Sequence, residues 1–206
     1  YMRFPARGLY AITQTDNKSG DTIINDVISA IKGGAVLVQY RDKNPLDAVF
    51  LASELVKICH QYQVPLIIND DVELAARVGA DGVHIGKEDG AIAQARRRLG
   101  ADAIIGVSCY NFVEQALDAQ NQGATYVAFG RFFPSTSKPL AAPAQIETLR
   151  QAKRLLTLPI VAIGGILPEN GAPLLAAGAD FLAVIGGLFE SQPEQSARAY
   201  QALFDV

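Results

Sequence analysis

The segment Gly178-Ala179-Asp180-Phe181-Leu182-Ala183-Val184-Ile185-Gly186-Gly187 holds the pattern that decides the fold. Gly178 closes a helical stretch, because glycine accepts the left-handed conformation in which many helices end. Residues 181–185 form an unbroken apolar run, as expected of a strand buried on both faces. The same helix, Gly-Ala, strand punctuation occurs at Gly79-Ala80 before run 82–85 and at Gly123-Ala124 before run 126–130. Such recurrence marks repeated βα units. Working outward, the runs 9–13, 36–41, 66–70, 103–108 and 160–164 complete a set of eight. Helical patterns over 46–62, 72–78, 91–99, 113–122, 144–156 and 169–176 fill the gaps, with Gly33, Gly79, Gly123 and Gly178 as helix stops. Eight strands, each followed by a helix, predict an α/β chain folded as a single (β/α)8 TIM barrel over residues 1–206. An open doubly wound sheet is the alternative, but no G-x-G-x-x-G follows the first run, which passes into Gln14-Thr15-Asp16.

Composition narrows the function classes. Half of the 206 residues are hydrophobic and 19% are charged, as in a globular domain. A net charge of -3 argues against a nucleic-acid surface, so a phosphate site must be locally basic. Cys59 and Cys109 are too scattered for a disulfide framework or a zinc site. With no signal peptide and no apolar run of about 18 residues, a cytoplasmic protein with no membrane partner is expected. Tyr1 precedes Met2 and carries no weight in the reading. The sequence leaves the oligomeric state open, a homo-oligomer included.

A barrel carries its chemistry at the C-terminal ends of its strands. In Gln39-Tyr40-Arg41-Asp42-Lys43, residues 39, 41 and 43 alternate and share one face of an extended segment. Arg and Lys there suit phosphate oxygens, and a solvated charged loop is an equal alternative. Asp70 and Asp89 follow consecutive strands without a neighbouring Cys, a donor set that suits Mg2+ shared with phosphates. General acid–base work and helix N-capping are the rivals, and for either Asp taken alone capping is the stronger one. Gly164-Gly165 and Gly186-Gly187 follow the seventh and eighth strands, where many barrels hold a phosphate on backbone N–H groups. Tight turns needing positive φ are the alternative. His60 and His84 are expected to be packed or surface-facing, and Phe129, Phe132 and Phe133 to be core and rim.

Taken in order, several segments resemble the thiamine-phosphate synthase family. They are Gln39–Lys43, Ile68-Asn69-Asp70, Gly82-Val83-His84-Ile85-Gly86-Lys87-Glu88-Asp89, Gly106-Val107-Ser108, the loop 129–138 and Ala162-Ile163-Gly164-Gly165-Ile166. The resemblance runs from Gly8-Leu9-Tyr10 to Phe189. It implies a transferase that joins a hydroxymethylpyrimidine diphosphate to a thiazole phosphate and releases pyrophosphate. By the same resemblance Gln39, Tyr40, Arg41, Asp42, Lys43, Asn69, Ser108 and Lys138 hold the pyrimidine diphosphate. Arg41, Lys43, Ser108 and Lys138 are the catalytic set among them. Asp70 and Asp89 hold Mg2+, and Ser135, Thr136, Ser137, Gly165, Ile185 and Gly186 hold the thiazole phosphate. The chain departs from the family pattern at Arg131 (Pro in the family), Ser135 and Ser137 (Thr) and Gly186 (often Ser). A thiazole tautomerase-like barrel is the nearest rival, and it needs neither the Asp pair nor the cation cluster. A non-catalytic phosphate-ligand binder is the second.

Overall fold

Apolar runs with no polar face need cover on both sides, and the computed structural model, which describes residues 2–86, 88–134 and 143–205, provides it. The strands β1 (Gly8–Ile12), β2 (Leu37–Tyr40), β3 (Leu66–Asn69), β4 (Gly82–Ile85), β5 (Ile104–Tyr110), β6 (Tyr126–Phe129), β7 (Ile160–Ile163) and β8 (Phe181–Val184) pair in parallel, in chain order. β1 closes on β8 in the register Gly8 with Phe181 through Ala11 with Val184. The helices α1 (Gly20–Lys32), α2 (Ala48–Gln61), α3 (Val72–Val78), α4 (Ala91–Leu99), α5 (Val113–Asn121), α6 (Ile146–Leu155) and α7 (Ala172–Ala176) each lead from one strand to the next. After β8 come the short α8 (Gly186–Phe189) and then α9 (Pro193–Gln201). The expected (β/α)8 barrel is the observed fold. Among the described residues no helix is long and apolar enough to cross a membrane.

Alternation along each strand makes two apolar layers. Leu9, Val38, Leu66, Val83, Ile105, Val127, Ile160 and Leu182 face outward and pack with the helices. Tyr10, Leu37, Ile67, Ile104, Tyr126, Val161 and Phe181 fill the barrel, and Phe4 closes its N-terminal end, stacked on Tyr126 with centroids 5.5 Å apart. Strand five runs past its expected end to Tyr110, with an irregular register between Ser108 and Tyr110. The last expected helices start late, at Ile146 and Ala172. Gly33 is not the left-handed stop: its φ is -80°, and Gly34 makes the turn with φ 117°. Gly33 is needed for close approach, since a Cβ there meets the Glu194 carbonyl oxygen at 2.4 Å.

The Gly-Ala punctuation has a third member whose side chain clasps the neighbouring strand. Asp81 accepts the Leu66 N–H at 2.8 Å, Thr125 accepts the Ile105 N–H at 2.9 Å, and Asp180 accepts the Ile160 N–H at 2.9 Å. Asp81, which is buried, also accepts from Met2 N and pairs with His60 Nε2 at 2.8 Å. Arg96 joins this end of the barrel by donating to the carbonyls of Ala101, Ala103 and Gly123. Removing a buried acceptor while its donors stay costs about 1–3 kcal/mol, more for a charged group. Asp81→Leu is therefore expected to lower the unfolding free energy by about 3 kcal/mol and Thr125→Val by about 1 kcal/mol. Urea denaturation checks both values, and turnover by the folded fraction is expected to be unchanged, since neither residue reaches the barrel mouth.

Candidate active site

The strand ends surround a cavity of about 460 Å3 at the C-terminal mouth of the barrel. Its floor carries Tyr10, Gln39, Asn69, His84 and Ser108 from five different strands. Its wall is apolar, from Ile12, Val161, Ile163 and Ala183. Its rim carries Arg41 after β2, Tyr110 at the end of β5, Arg131 packed against Gly164, and Gly165, Ile185, Gly186, Gly187 and Glu190.

Gln39 and Arg41 point inward as alternation requires, and both border the cavity. Thr13 fixes Arg41 just past the end of β2: its hydroxyl donates to the Arg41 carbonyl and accepts from the Arg41 N–H, both at 2.9 Å. Tyr40 and Asp42 do not border the cavity. Tyr40 lies in the outer layer between barrel and helices, and its hydroxyl donates to Asp42 Oδ2 at 2.9 Å. Burial, then the Asp42 carboxylate, pushes the Tyr40 phenol well up, so it keeps its proton. Asp42 Oδ1 accepts from Thr15 Oγ1 and Asn44 N, both at 3.1 Å, which commits its carboxylate to shaping the loop. The alternation also stops short of Lys43, which is exposed in the bend after Asp42 and does not border the cavity.

The structure decides the capping question for the aspartates. Asp71, not Asp70, is the N-cap of α3, accepting the Leu74 N–H at 2.9 Å. Gly90, not Asp89, is the N-cap of α4 and offers no side chain. Asp70 is exposed, with φ 70° and its N–H bonded to the His84 carbonyl at 2.8 Å. Asp89 is exposed in the turn after β4, beside a small separate hollow with Glu88 and Asp118. Neither carboxylate forms an ion pair or hydrogen bond with the described residues. They offer hard oxygen donors after neighbouring strands, a donor chemistry that suits Mg2+ completed by water and phosphate oxygens, and neither borders the cavity. Among the described residues no cluster of three or more candidate ligands exists.

Both diglycines border the cavity, and the first is also a packing necessity. Gly164 and Gly165 have φ 108° and 63°, and a Cβ on Gly165 meets the Pro134 and Phe133 carbonyl oxygens at 2.6 and 2.8 Å. A side chain at Gly165 therefore strikes the β6–α6 loop rather than the cavity. Gly186 is different, since a Cβ there meets only the tip of the Glu190 side chain, at 2.8 Å. Tyr200 supports this end from below: its hydroxyl donates to the Ile166 carbonyl at 2.7 Å beneath Gly187. The N–H groups of Gly165, Gly186 and Gly187 donate to no described residue. Ser135, Thr136, Ser137 and Lys138 lie outside the described residues.

His84 was expected to be packed or surface-facing, and it borders the cavity. Its Nε2 lies 2.7 Å from Ser108 Oγ and its Nδ1 2.7 Å from the Tyr126 hydroxyl. Period-two alternation places Asn69 and His84 on the inner face once the barrel closes, and no local signal does so alone. Thr13, Tyr10, Tyr126 and Tyr200 carried no such signal in the sequence. His60 is packed at the far end against Asp81.

Comparison with known proteins gives this geometry its context. The family model described as "Thiamine monophosphate synthase" matches residues 9–188. A thiamine-phosphate synthase of Nitrosococcus oceani is 53% identical over 200 residues, covering 96% of this chain and 92% of the relative. One of Methylococcus capsulatus is 47% identical, covering 99% and 92%. The solved thiamine phosphate pyrophosphorylase of Pyrococcus furiosus superposes with a TM-score of 0.87 at 30% identity, over 97% of this chain and 96% of that one. A match of this extent and identity places the chain in the thiamine monophosphate synthase family.

Proposed function

We propose that this chain catalyses the reaction for which its relatives are named. It joins 4-amino-2-methyl-5-(diphosphooxymethyl)pyrimidine to 4-methyl-5-(2-phosphoethyl)thiazole, giving thiamine phosphate and pyrophosphate. The observation that carries the reading is the two-sided cavity. The polar side chains come from β1 to β5, with Arg41 just after β2, and the glycine turns follow β7 and β8, whose Val161, Ile163 and Ala183 are apolar. A volume of about 460 Å3 suits two small ring compounds.

In this reading the pyrimidine ring lies on the floor against Gln39, Asn69 and Ser108. Its diphosphate faces Arg41, Lys43 and Lys138, with Tyr40 and Asp42 holding the loop that presents the first two. The thiazole phosphate faces Gly165, Ile185 and Gly186, with Ser135, Thr136 and Ser137. Asp70 and Asp89 hold Mg2+, which neutralises charge on the leaving diphosphate when bound. The bond from the exocyclic carbon to oxygen breaks, and its electron pair leaves with pyrophosphate. The electron-rich aminopyrimidine carries the positive charge left on that carbon. The thiazole nitrogen lone pair then forms the new carbon–nitrogen bond, so atoms and charge balance without a protein nucleophile. Arg41 stabilises the leaving charge more strongly beside the apolar wall than it would in water. Holding both rings face to face is worth at most about 7–11 kcal/mol. The tautomerase reading leaves the Asp pair and Arg41 without a task.

Pyrophosphate and thiamine phosphate are expected in equal amounts when both substrates and Mg2+ are mixed with the protein. EDTA is expected to abolish formation of both, and added Mg2+ to restore it. Turnover in a rigorously metal-free assay contradicts the Mg2+ assignment, and conversion of the thiazole phosphate alone favours the tautomerase.

The phosphate end is tested at Gly186, where a Cβ has room. Gly186→Ser keeps the N–H and is expected to stay within about twofold of wild type, because one lost or gained surface contact changes little. Gly186→Asp sets a carboxylate against the phosphate and is expected to raise KM for the thiazole phosphate about tenfold or more. KM for the pyrimidine diphosphate stays near the wild-type value. If Gly186→Asp leaves thiazole kinetics unchanged, the phosphate is bound elsewhere.

A further inference from the structure

An unbroken row of polar groups crosses the barrel beneath the cavity. Gln39 Nε2 donates to the Tyr10 hydroxyl at 2.9 Å, and the Tyr10 and Tyr126 hydroxyls are 2.7 Å apart. Tyr126 meets His84 Nδ1 at 2.7 Å, and His84 Nε2 meets Ser108 Oγ at 2.7 Å. Residues from β2, β1, β6, β4 and β5 are thus joined in one line, and Tyr126 is fully buried. Tyr126 does not border the cavity, whereas Ser108 at the end of the line does.

Such a row has a sense. A phenol hydroxyl has one hydrogen to give. Burial pushes both phenols well up, so each keeps its proton. In the sense that leaves no Tyr10 hydrogen facing the cavity, Tyr10 accepts from Gln39 and gives its hydrogen to Tyr126. Tyr126 in turn gives its hydrogen to His84 Nδ1. With Nδ1 as the acceptor, the Nε2–H is the group that donates to Ser108 Oγ. The hydrogen of Ser108 is left to point into the cavity. In a low-dielectric interior the successive bonds polarise one another in the same direction.

We propose that Gln39, Tyr10, Tyr126 and His84 form a positioning chain that fixes Ser108 as a hydrogen-bond donor toward a ring-nitrogen lone pair of the substrate. The proposal rests on the pyrimidine lying against Ser108. It makes the floor selective for a ring nitrogen without a hydrogen, as in a 4-aminopyrimidine. The nitrogen meant is N3, beside the 4-substituent: in the 4-oxo ring N3 carries a hydrogen, and two donors face each other. A ring matched to a buried polar group is discriminated far better than one distinguished by size alone. Without Tyr126 the imidazole exchanges tautomers, and Ser108 alternates between donor and acceptor.

The chain has only two histidines, so 15N NMR of histidine-labelled protein reads His84 directly, with His60→Gln giving the assignment. Wild type is expected to hold His84 as the Nε2–H tautomer. Tyr126→Phe removes one oxygen from the core and is expected to yield a mixture, in a protein that still folds but melts several degrees below wild type because two buried partners are left unpaired. Tyr10→Phe, which cuts the row one step earlier, is the second variant. Calorimetry then compares binding of the 4-amino and 4-oxo pyrimidine diphosphates. Wild type is expected to prefer the amino ring at least about tenfold, the scale of one unsatisfied buried donor, and Tyr126→Phe to lose most of that preference. An Nδ1–H tautomer in wild type reverses the row and overturns the proposal. So does an unchanged preference in a folded Tyr126→Phe. If wild type binds neither ring, the functional reading beneath the proposal fails instead, while the tautomer still reports the sense of the row.

Discussion

Closure of the parallel sheet is the constraint on which the rest depends. A parallel strand between helices cannot leave its backbone N–H and C=O groups unpaired, because no water reaches them. Pairing β1 with β8 removes both edges at once. It also sends every strand in one direction, so all eight C-terminal ends open on a single mouth. Residues as distant in sequence as Gln39 and Gly186 are thereby brought to one cavity. The other end carries the clasps of Asp81, Thr125 and Asp180 and the gathered carbonyls under Arg96. Groups that hold the barrel together are thus kept apart from groups free to meet a ligand.

The mouth is divided by chemistry. Hydroxyl, imidazole and amide groups lie deepest, where the low dielectric makes a hydrogen bond directional and an unmatched partner costly. Charged groups sit at the rim, where they stay hydrated until a ligand arrives. The backbone of Arg41 is anchored by its reciprocal bonds with Thr13, which fixes where its side chain leaves the strand end. Tyr40 and Asp42 serve the same end indirectly, each spending its polar atoms on the loop.

Much of the fold was legible because each strand is buried on both faces and therefore reads as an apolar run. Boundaries were less so: β5 continues to Tyr110 because pairing with Phe129 extends it. Capping at α3 stayed open at Asp70, since Asp70 and Asp71 are chemically alike and only the backbone selects Asp71. The diglycines were legible as special backbone, yet the atoms that crowd Gly165 come from Phe133 and Pro134, which only folding brings near. His84 is packed, but its place beside the cavity was not legible, for the same reason. Its partners Tyr126 and Ser108 lie 42 and 24 residues away, and nothing in the local apolar run marks it as facing a cavity.

The central claim is that one cavity holds two phosphorylated rings with their anionic groups on different parts of the rim. Its most direct measurement is crystallographic electron density for the protein with thiamine phosphate, pyrophosphate and Mg2+. The account predicts the pyrimidine on the floor against Ser108 and the product phosphate at Gly186. It places pyrophosphate beside Arg41, and Asp70 and Asp89 would hold the metal. Density that puts both phosphates against the same glycine turns, or the pyrimidine outside the floor formed by Gln39, Asn69 and Ser108, would contradict it.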